Sequence, residues 1–183
     1  MERLLAKHGY VAVTTNHVAD TAGVGIGSVY EYFGDKDAIV AEVARRTITR
    51  ILDDIASARS DVMPIDPEAA LRAWIHTMFV AVRSRSDIVR VLWREVPFLW
   101  ELEELRALPD RMLVIARAAR REPSPTLDES QLEAATYLLT VMVSQAVITS
   151  TIEPPSHLSP EAIETTLTTM LATLLLTPPP ARS

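Results

Sequence analysis

Residues 14–33 read TTNHVADTAGVGIGSVYEYF, and their order admits few backbones. Counting from Thr15, apolar side chains fall at Val18, Ala22, Val24 and Val29, with Ala19 and Gly23 between them. Two short helices that cross steeply need nothing larger than a methyl at the crossing, which Ala19 supplies. Gly23 can close the first helix in a left-handed conformation. The remaining apolar positions are expected to pin the second helix on the first, leaving its start to face outward. The pattern predicts a helix-turn-helix, which offers a helix to a major groove.

Helical periods run through the rest of the chain, and no strand pattern competes with them. Asp35 is placed to cap a long helix whose inner stripe is Ile39, Val43, Ile48, Ile51, Leu52 and Ile55. Asp66-Pro67-Glu68 signals a start, and Ser86-Asp87 opens the next helix. Pro97 and Pro109 are expected to break the apolar segment around Phe98, Trp100, Leu102 and Leu105. Either Thr126 with Glu129 or Asp128 with Gln131 forms a capping box for a helix to about Thr151. Ser159-Pro160-Glu161 starts the last helix, and Thr177 with the prolines after it ends that helix. The fold class expected is all-α, with about nine helices.

The glycine turn continues as Gly23-Val24-Gly25-Ile26-Gly27-Ser28-Val29-Tyr30-Glu31-Tyr32-Phe33, followed by Asp35-Lys36-Asp37-Ala38-Ile39. This stretch resembles the DNA-binding region of the tetracycline-repressor (TetR) family of transcriptional regulators. Leu4-Leu5-Ala6-Lys7-His8-Gly9-Tyr10 is similar to the end of that family's first helix and its Gly-aromatic turn. The resemblance covers about the first quarter of the chain; beyond Leu52 only length and helical character match. It implies a three-helix head over residues 1–46 and a helical ligand-binding and dimerisation body over 47–177; the prolines after Thr177 point to a disordered tail at 178–183. It also implies a homodimer on a palindromic double-stranded DNA operator, answering a small-molecule effector.

Residue by residue, the resemblance puts Thr15 and Asn16 where the family touches phosphate and base edges. Thr15 is also expected to cap its helix, and both roles can hold together. Ile26, Gly27, Ser28, Tyr30, Glu31 and Tyr32 correspond to contact positions of the recognition helix. Gly27 allows close backbone approach, Ser28 and Tyr30 can donate to phosphate, and Glu31 either accepts from cytosine N4 or stays solvated. Lys36 is expected to clamp a phosphate. Two departures stand out. Almost nothing precedes Glu2, where the family has a further turn and often a basic arm, so either Met1 is not the full start or binding relies less on an arm. Gly25 stands where many members have a capping side chain.

The last two helices are apolar on most sides, so in the resembled family's manner they are expected to pack on a second subunit as a four-helix bundle. The interface expected is Thr136, Thr140 and Ser144, a row that allows close approach, with Ile163, Leu167, Met170, Leu171 and Leu174. Burial inside one subunit is the competing reading. In the middle of the chain Trp74, Met78, Trp93, Phe98, Trp100, Met112, Tyr137 and Met142 are interspersed with His76, Arg94, Glu95 and Gln145. They are read either as core or as an apolar effector pocket with a few polar groups.

Charge and composition narrow the alternatives. The net charge is −6, and the first 47 residues hold fewer basic than acidic side chains, so DNA affinity would come from few, well-placed contacts. With no cysteine there is no disulfide or thiolate metal site. His8, His17, His76 and His157 lack metal spacing, so no metal and no cofactor is expected. Residues 23–28 mimic a phosphate loop, but no strand precedes them. Nothing resembles a nucleophile with its base, so an enzyme is not expected. No secretory signal is read at the start, and apolar runs such as 137–143 are expected to be too short to span a membrane, which points to a cytoplasmic protein. The alternative function is a dimeric helical small-molecule-binding or scaffold protein without DNA binding.

Overall fold

The computed structural model describes residues 1–57, 66–119 and 128–176. Among them are ten α-helices and no strand: α1 (Glu2–Ala12), α2 (Thr15–Ala22), α3 (Ile26–Tyr32), α4 (Lys36–Ser57), α5 (Pro67–Arg83), α6 (Ser86–Glu95), α7 (Glu103–Arg106), α8 (Leu108–Ala119), α9 (Glu129–Ile152) and α10 (Pro160–Leu176). A single 3-10 turn, Leu99–Glu101, sits between α6 and α7. The stretch between Pro97 and Pro109 therefore folds into this turn and a four-residue helix, and Pro109 falls in the first turn of α8, where a missing N–H costs nothing. The tail at 178–183 lies outside the described residues.

The cap signals act locally. Ala38 N–H donates to Asp35 Oδ1 at 2.8 Å and Ala69 N–H to Asp66 Oδ2 at 2.9 Å. Of the two capping boxes open in the sequence, Asp128 with Gln131 forms. Ser159 starts α10 by accepting from Ala162 N–H at 3.1 Å.

Three apolar clusters hold the molecule. Ala19, Val29 and Ile39 form the small centre of the helix-turn-helix. Leu5, Val13, Val40 and Ala44 pack against Val91, Leu92, Val96 and Leu99, joining α1 and α4 to α6. Phe79, Ile75, Met112, Val143 and Val147 centre the body, with Leu52 and Ile55 reaching in from α4. The boundary expected at residue 46 falls inside α4, a continuous helix that belongs to both clusters.

Gly9 sets the joint between head and body. Its φ of 77° and ψ of 169° break the helical course of α1, a conformation open almost only to glycine. The turn aims Tyr10 N–H at Glu95 Oε2, 2.8 Å away on α6. A Cβ added at Gly9 would stand 2.6 Å from the same carboxylate oxygen. Tyr10 then gathers more partners. Its hydroxyl donates to Asp37 Oδ1 at 2.7 Å, its carbonyl accepts from Lys36 Nζ at 3.1 Å, and that ammonium lies 4.0 Å above its ring. Asp37, mainly through this hydrogen bond, pushes the Tyr10 phenol up to about 12.

The sequence expectation that no segment is long and apolar enough to cross a membrane is corrected: Glu133–Ile152 within α9 qualifies by length and composition, with a mean hydropathy of 1.4. Interspersed Thr, Ser and Gln did not lower the average enough. This helix packs against α5, α6, α8 and α10, yet only 22% of its apolar window is buried within the subunit.

Candidate nucleic-acid interface and ligand cavity

The helix-turn-helix closes as its sequence requires at Gly23, which adopts φ 68° and ψ 31° and sends its N–H back to Ala19 and Asp20 carbonyls. Ala19 is buried at the crossing, and Val29 pins α3 from below. Val24 and Ala22, expected to pin it as well, are exposed, because the turn carries them past the edge of so small a core.

Capping in α2 is shifted by one residue from the expectation. Thr14, not Thr15, is the N-cap, with Oγ1 accepting from His17 N–H at 3.3 Å. Thr15 is thereby released: its hydroxyl lies 3.1 Å from the Tyr30 hydroxyl and ties α2 to α3. Asn16, Ile26, Gly27, Ser28, Tyr30, Glu31 and Tyr32 are all exposed, with Tyr30 at 53% and Tyr32 at 82%. Gly25 caps α3 without any side-chain hydrogen bond. Lys36 is half-buried against Tyr10 rather than extended into solvent, so two of its three N–H donors remain for an anion.

Positive charge nearby is mostly committed. Arg45 and Arg46 hold Glu42, Arg45 also meets Glu104 at 3.1 Å, and Arg50 meets Glu2 at 3.2 Å. Hydrogen bonds from Arg46 and Arg45 keep the Glu42 carboxyl below the usual range. Arg3 and Lys7 on α1 are exposed with no ion-pair partner among the described residues.

In the body, α6, α7, α8 and α9 enclose a half-open cleft of about 620 Å³, its mouth included. Trp93 and Trp100 line it edge to face, with ring centroids 4.5 Å apart. Leu108, Val141 and Ile148 add to the apolar lining, and Arg106, Ser144 and Gln145 are its polar members. A second, almost wholly apolar hollow shares Trp93, Leu105, Leu108 and Ile148 and extends to Thr47, Ile48 and Ile51 of α4. Among the described residues no group of three His, Cys, Asp or Glu side chains could hold a metal.

Of the eight side chains expected in the pocket, only Trp93 and Trp100 line these cavities. Met78 and Met112 are core, each 2% exposed. Trp74 packs on the body core with its Nε1 buried and without a hydrogen-bond partner among the described residues, and Phe98 packs edge-on against Tyr10 at the head joint. Tyr137 and Met142 face outward from α9. An apolar composition cannot separate these fates; only the helix rotation does. In the first cleft the residues beyond the sequence expectation lie on the short α7, the first turn of α8 and α9; in the second hollow they also come from α4, α5, α6 and the 3-10 turn.

The interface expectations need a parallel correction. Thr140 and Leu171 lie inside one subunit at 2% and 7% exposure, Ile163 and Leu167 pack against its core, and Thr136 is half-buried. Ser144 turns to the cleft. Met170 is exposed, and the Leu174 side chain lies outside the described residues. The outward stripe of α9 is instead Tyr137, Leu138, Val141 and Met142. On α10 the exposed Thr169 and Thr173 donate their hydroxyls to carbonyls four residues back, at 2.9 Å each, which leaves their methyl groups outward.

Residues 2–43 match the tetR family of bacterial regulatory proteins. The chain is 31% identical over 98 residues to the HTH-type transcriptional repressor KstR2 of Rhodococcus jostii, a match over 52% of this chain and 46% of that protein. It is 30% identical over 108 residues to the HTH-type transcriptional regulator BetI of Paraburkholderia xenovorans, over 57% and 55%. The match thus spans about half the length of these curated relatives. A TetR-like transcriptional regulator from Rhodococcus sp. RHA1 shares the fold with a TM-score of 0.65 at 16% identity, over 97% of this chain and 92% of that one. The fatty acid degradation regulator FadR from Bacillus halodurans does so with a TM-score of 0.61 at 18% identity, over 99% and 93%.

Proposed function

Because this chain belongs to the TetR family of bacterial regulatory proteins, we propose that it works as a dimeric, ligand-responsive transcriptional regulator in the cytoplasm, a repressor released by a small apolar or amphipathic effector. The observation that carries the reading is the tip of the head. A seven-residue helix is held from beneath by Val29 and from the side by the Thr15–Tyr30 contact. It leaves Ile26, Gly27, Ser28, Tyr30, Glu31 and Tyr32 free to meet a major groove, with Thr15 and Asn16 beside them and Lys36 at the edge. Positioned hydroxyls offset part of the missing positive charge.

The second copy is recruited by the α9–α10 face. Tyr137, Leu138, Met142 and Met170 are 43% to 65% exposed on two neighbouring helices, and a large contiguous apolar face on a soluble subunit marks an interface. Pairing about a two-fold axis gives two heads for a palindromic operator.

The cleft supplies the effector site, and two links lead from it to the head. Trp93 lies two residues from Glu95, which holds Tyr10 N–H, and the deeper hollow touches Ile48 and Ile51 on the helix that also carries Ile39 beneath α3. A ligand that prefers one arrangement of α4 and α6 shifts the heads by its differential affinity and by nothing else. A gel shift with the DNA flanking its own gene, run at low and physiological salt with and without ligand, tests the reading. A specific, salt-sensitive complex is expected. No shift at low salt leaves the second reading, a dimeric helical small-molecule-binding or scaffold protein without DNA binding, which the committed arginines of the head favour.

A further inference from the structure

The cleft is mostly apolar, but Arg106 on α7 and Ser144 and Gln145 on α9 are among its lining, and among the described residues no carboxylate lines it. Arg106 has no ion-pair partner among the described residues, whereas Arg83, Arg85, Arg90 and Arg94 of the same body all have one. Ser144 Oγ is shielded from water and has no hydrogen-bond partner among the described residues. A buried hydroxyl in that condition is costly, and the cost disappears when a bound group satisfies it. Gln145 is already turned away, donating from Nε2 to the Thr149 hydroxyl at 3.0 Å.

We propose that the cleft takes an apolar carboxylic acid. Its hydrocarbon lies against Trp93, Trp100, Leu108 and Ile148, and its carboxylate is met by the Arg106 guanidinium and, once the Ser144 side chain rotates its shielded Oγ toward the cleft, by the Ser144 hydroxyl. This rests on reading the cleft as the effector site and adds the chemical class. Two competing classes fit less well. A cation would be drawn to the tryptophan faces but would meet Arg106 with no carboxylate to offset it. A plain hydrocarbon would seal Ser144 Oγ in without a partner. One unpaired guanidinium with one hydroxyl suits a single carboxylate, because a charged acceptor makes the stronger hydrogen bonds.

The test uses the full chain at about pH 7, where a carboxylic acid is ionised. Two acids of different shape, 4-phenylbutyrate and octanoate, are titrated beside their amides and amines by calorimetry, with tryptophan fluorescence in parallel. The acids should bind about five- to tenfold tighter than the amides, a modest ratio because Arg106 is exposed to solvent. The amines should bind weakest. Arg106→Gln, at an exposed site that folding does not depend on, should remove the acids' advantage and leave the amides within about twofold. Ser144→Ala should weaken the acids about threefold. Acid and amide of equal affinity in the wild type, acid binding unchanged by Arg106→Gln, or amines binding tightest would each overturn the carboxylate assignment while leaving a ligand-binding cleft. If no probe binds and the tryptophan signal does not move, the effector reading of the cleft falls with it.

Discussion

The head and the α9–α10 face both leave large apolar side chains in water, and they do so by different means. At the tip of α3, Ile26, Tyr30 and Tyr32 stand on a helix of seven residues, among glycines and hydroxyls, over a centre of three small buried side chains. On α9 and α10, Leu138, Met142 and Met170 stand on helices of 24 and 17 residues, among threonines whose hydroxyls are turned to their own backbone. The first surface is small, interrupted and rich in donors, which suits a polar partner of fixed groove shape. The second runs along two longer helices and carries large apolar side chains with few charges, which suits another apolar helix pair. Exposed apolar area alone does not name a partner; the polar atoms around it do.

The largest expected effect breaks the second surface. Met142→Glu puts a charge on the face proposed to be buried between subunits, where it has no partner, at a cost of several kcal/mol. Sedimentation at micromolar concentration should show a monomer with wild-type helix content. Operator affinity should fall about 10²- to 10⁴-fold as the two half-sites lose their link. Leu171→Ala is the contrast. That side chain is 7% exposed inside the subunit, so it should cost about 2–5 kcal/mol of stability while the protein stays dimeric. A dimeric Met142→Glu protein would sink this face as the interface.

This contrast also measures what the sequence could tell. Turn chemistry is local, so Gly23, Ala19, Asp35, Asp66 and Ser159 act in the structure as their residue types require. The all-α class and most helix boundaries followed from such signals. Rotation of a helix about its axis is not local when nearly every side chain is apolar. On α9 the threonine row at 136 and 140 proved to face inward and the Tyr137–Met142 side outward. The cleft was hidden for a related reason: its walls come from four helices, and one of them, the four-residue α7, is too short to show a period.

The next effect falls on the joint between the two regions. Gly9→Ala asks an L-residue to hold φ 77° and places a methyl 2.6 Å from Glu95 Oε2. The loss should be about 2–4 kcal/mol by denaturant melts, combining backbone strain with displacement of the carboxylate from Tyr10 N–H. Glu95→Ala in the same background should recover only the part due to the clash. Full recovery would mean that backbone strain at Gly9 is negligible.

At the head, Tyr30→Phe removes one hydroxyl from the Thr15 contact and from any phosphate. Specific operator binding should weaken about three- to tenfold, with nonspecific binding changed less, measured by gel shift against operator and scrambled DNA. Fold and dimerisation should be untouched, since Tyr30 is 53% exposed. Equal losses on both DNAs would move Tyr30 from reading the groove to holding the backbone.

The smallest effect belongs to Tyr10, and its sign is fixed. Hydrogen bonding to Asp37 raises the phenol to about 12 in the folded protein, against an unfolded value near 10. The folded state therefore binds this proton more tightly. The contribution to stability is fully present below pH 10 and disappears as the pH climbs through about 12. Tyr10→Phe lacks both the hydrogen bond and the titration. The wild type should melt a degree or two above the mutant at neutral pH, since a partly exposed hydrogen bond contributes little. That gap should hold to about pH 10 and narrow above it, in thermal melts taken at closely spaced pH values. The Tyr10→Phe and wild-type curves are compared at each pH rather than along it, so that the difference reports Tyr10 alone. A gap that widens with alkalinity would mean that the phenolate, not the phenol, is the form the joint holds.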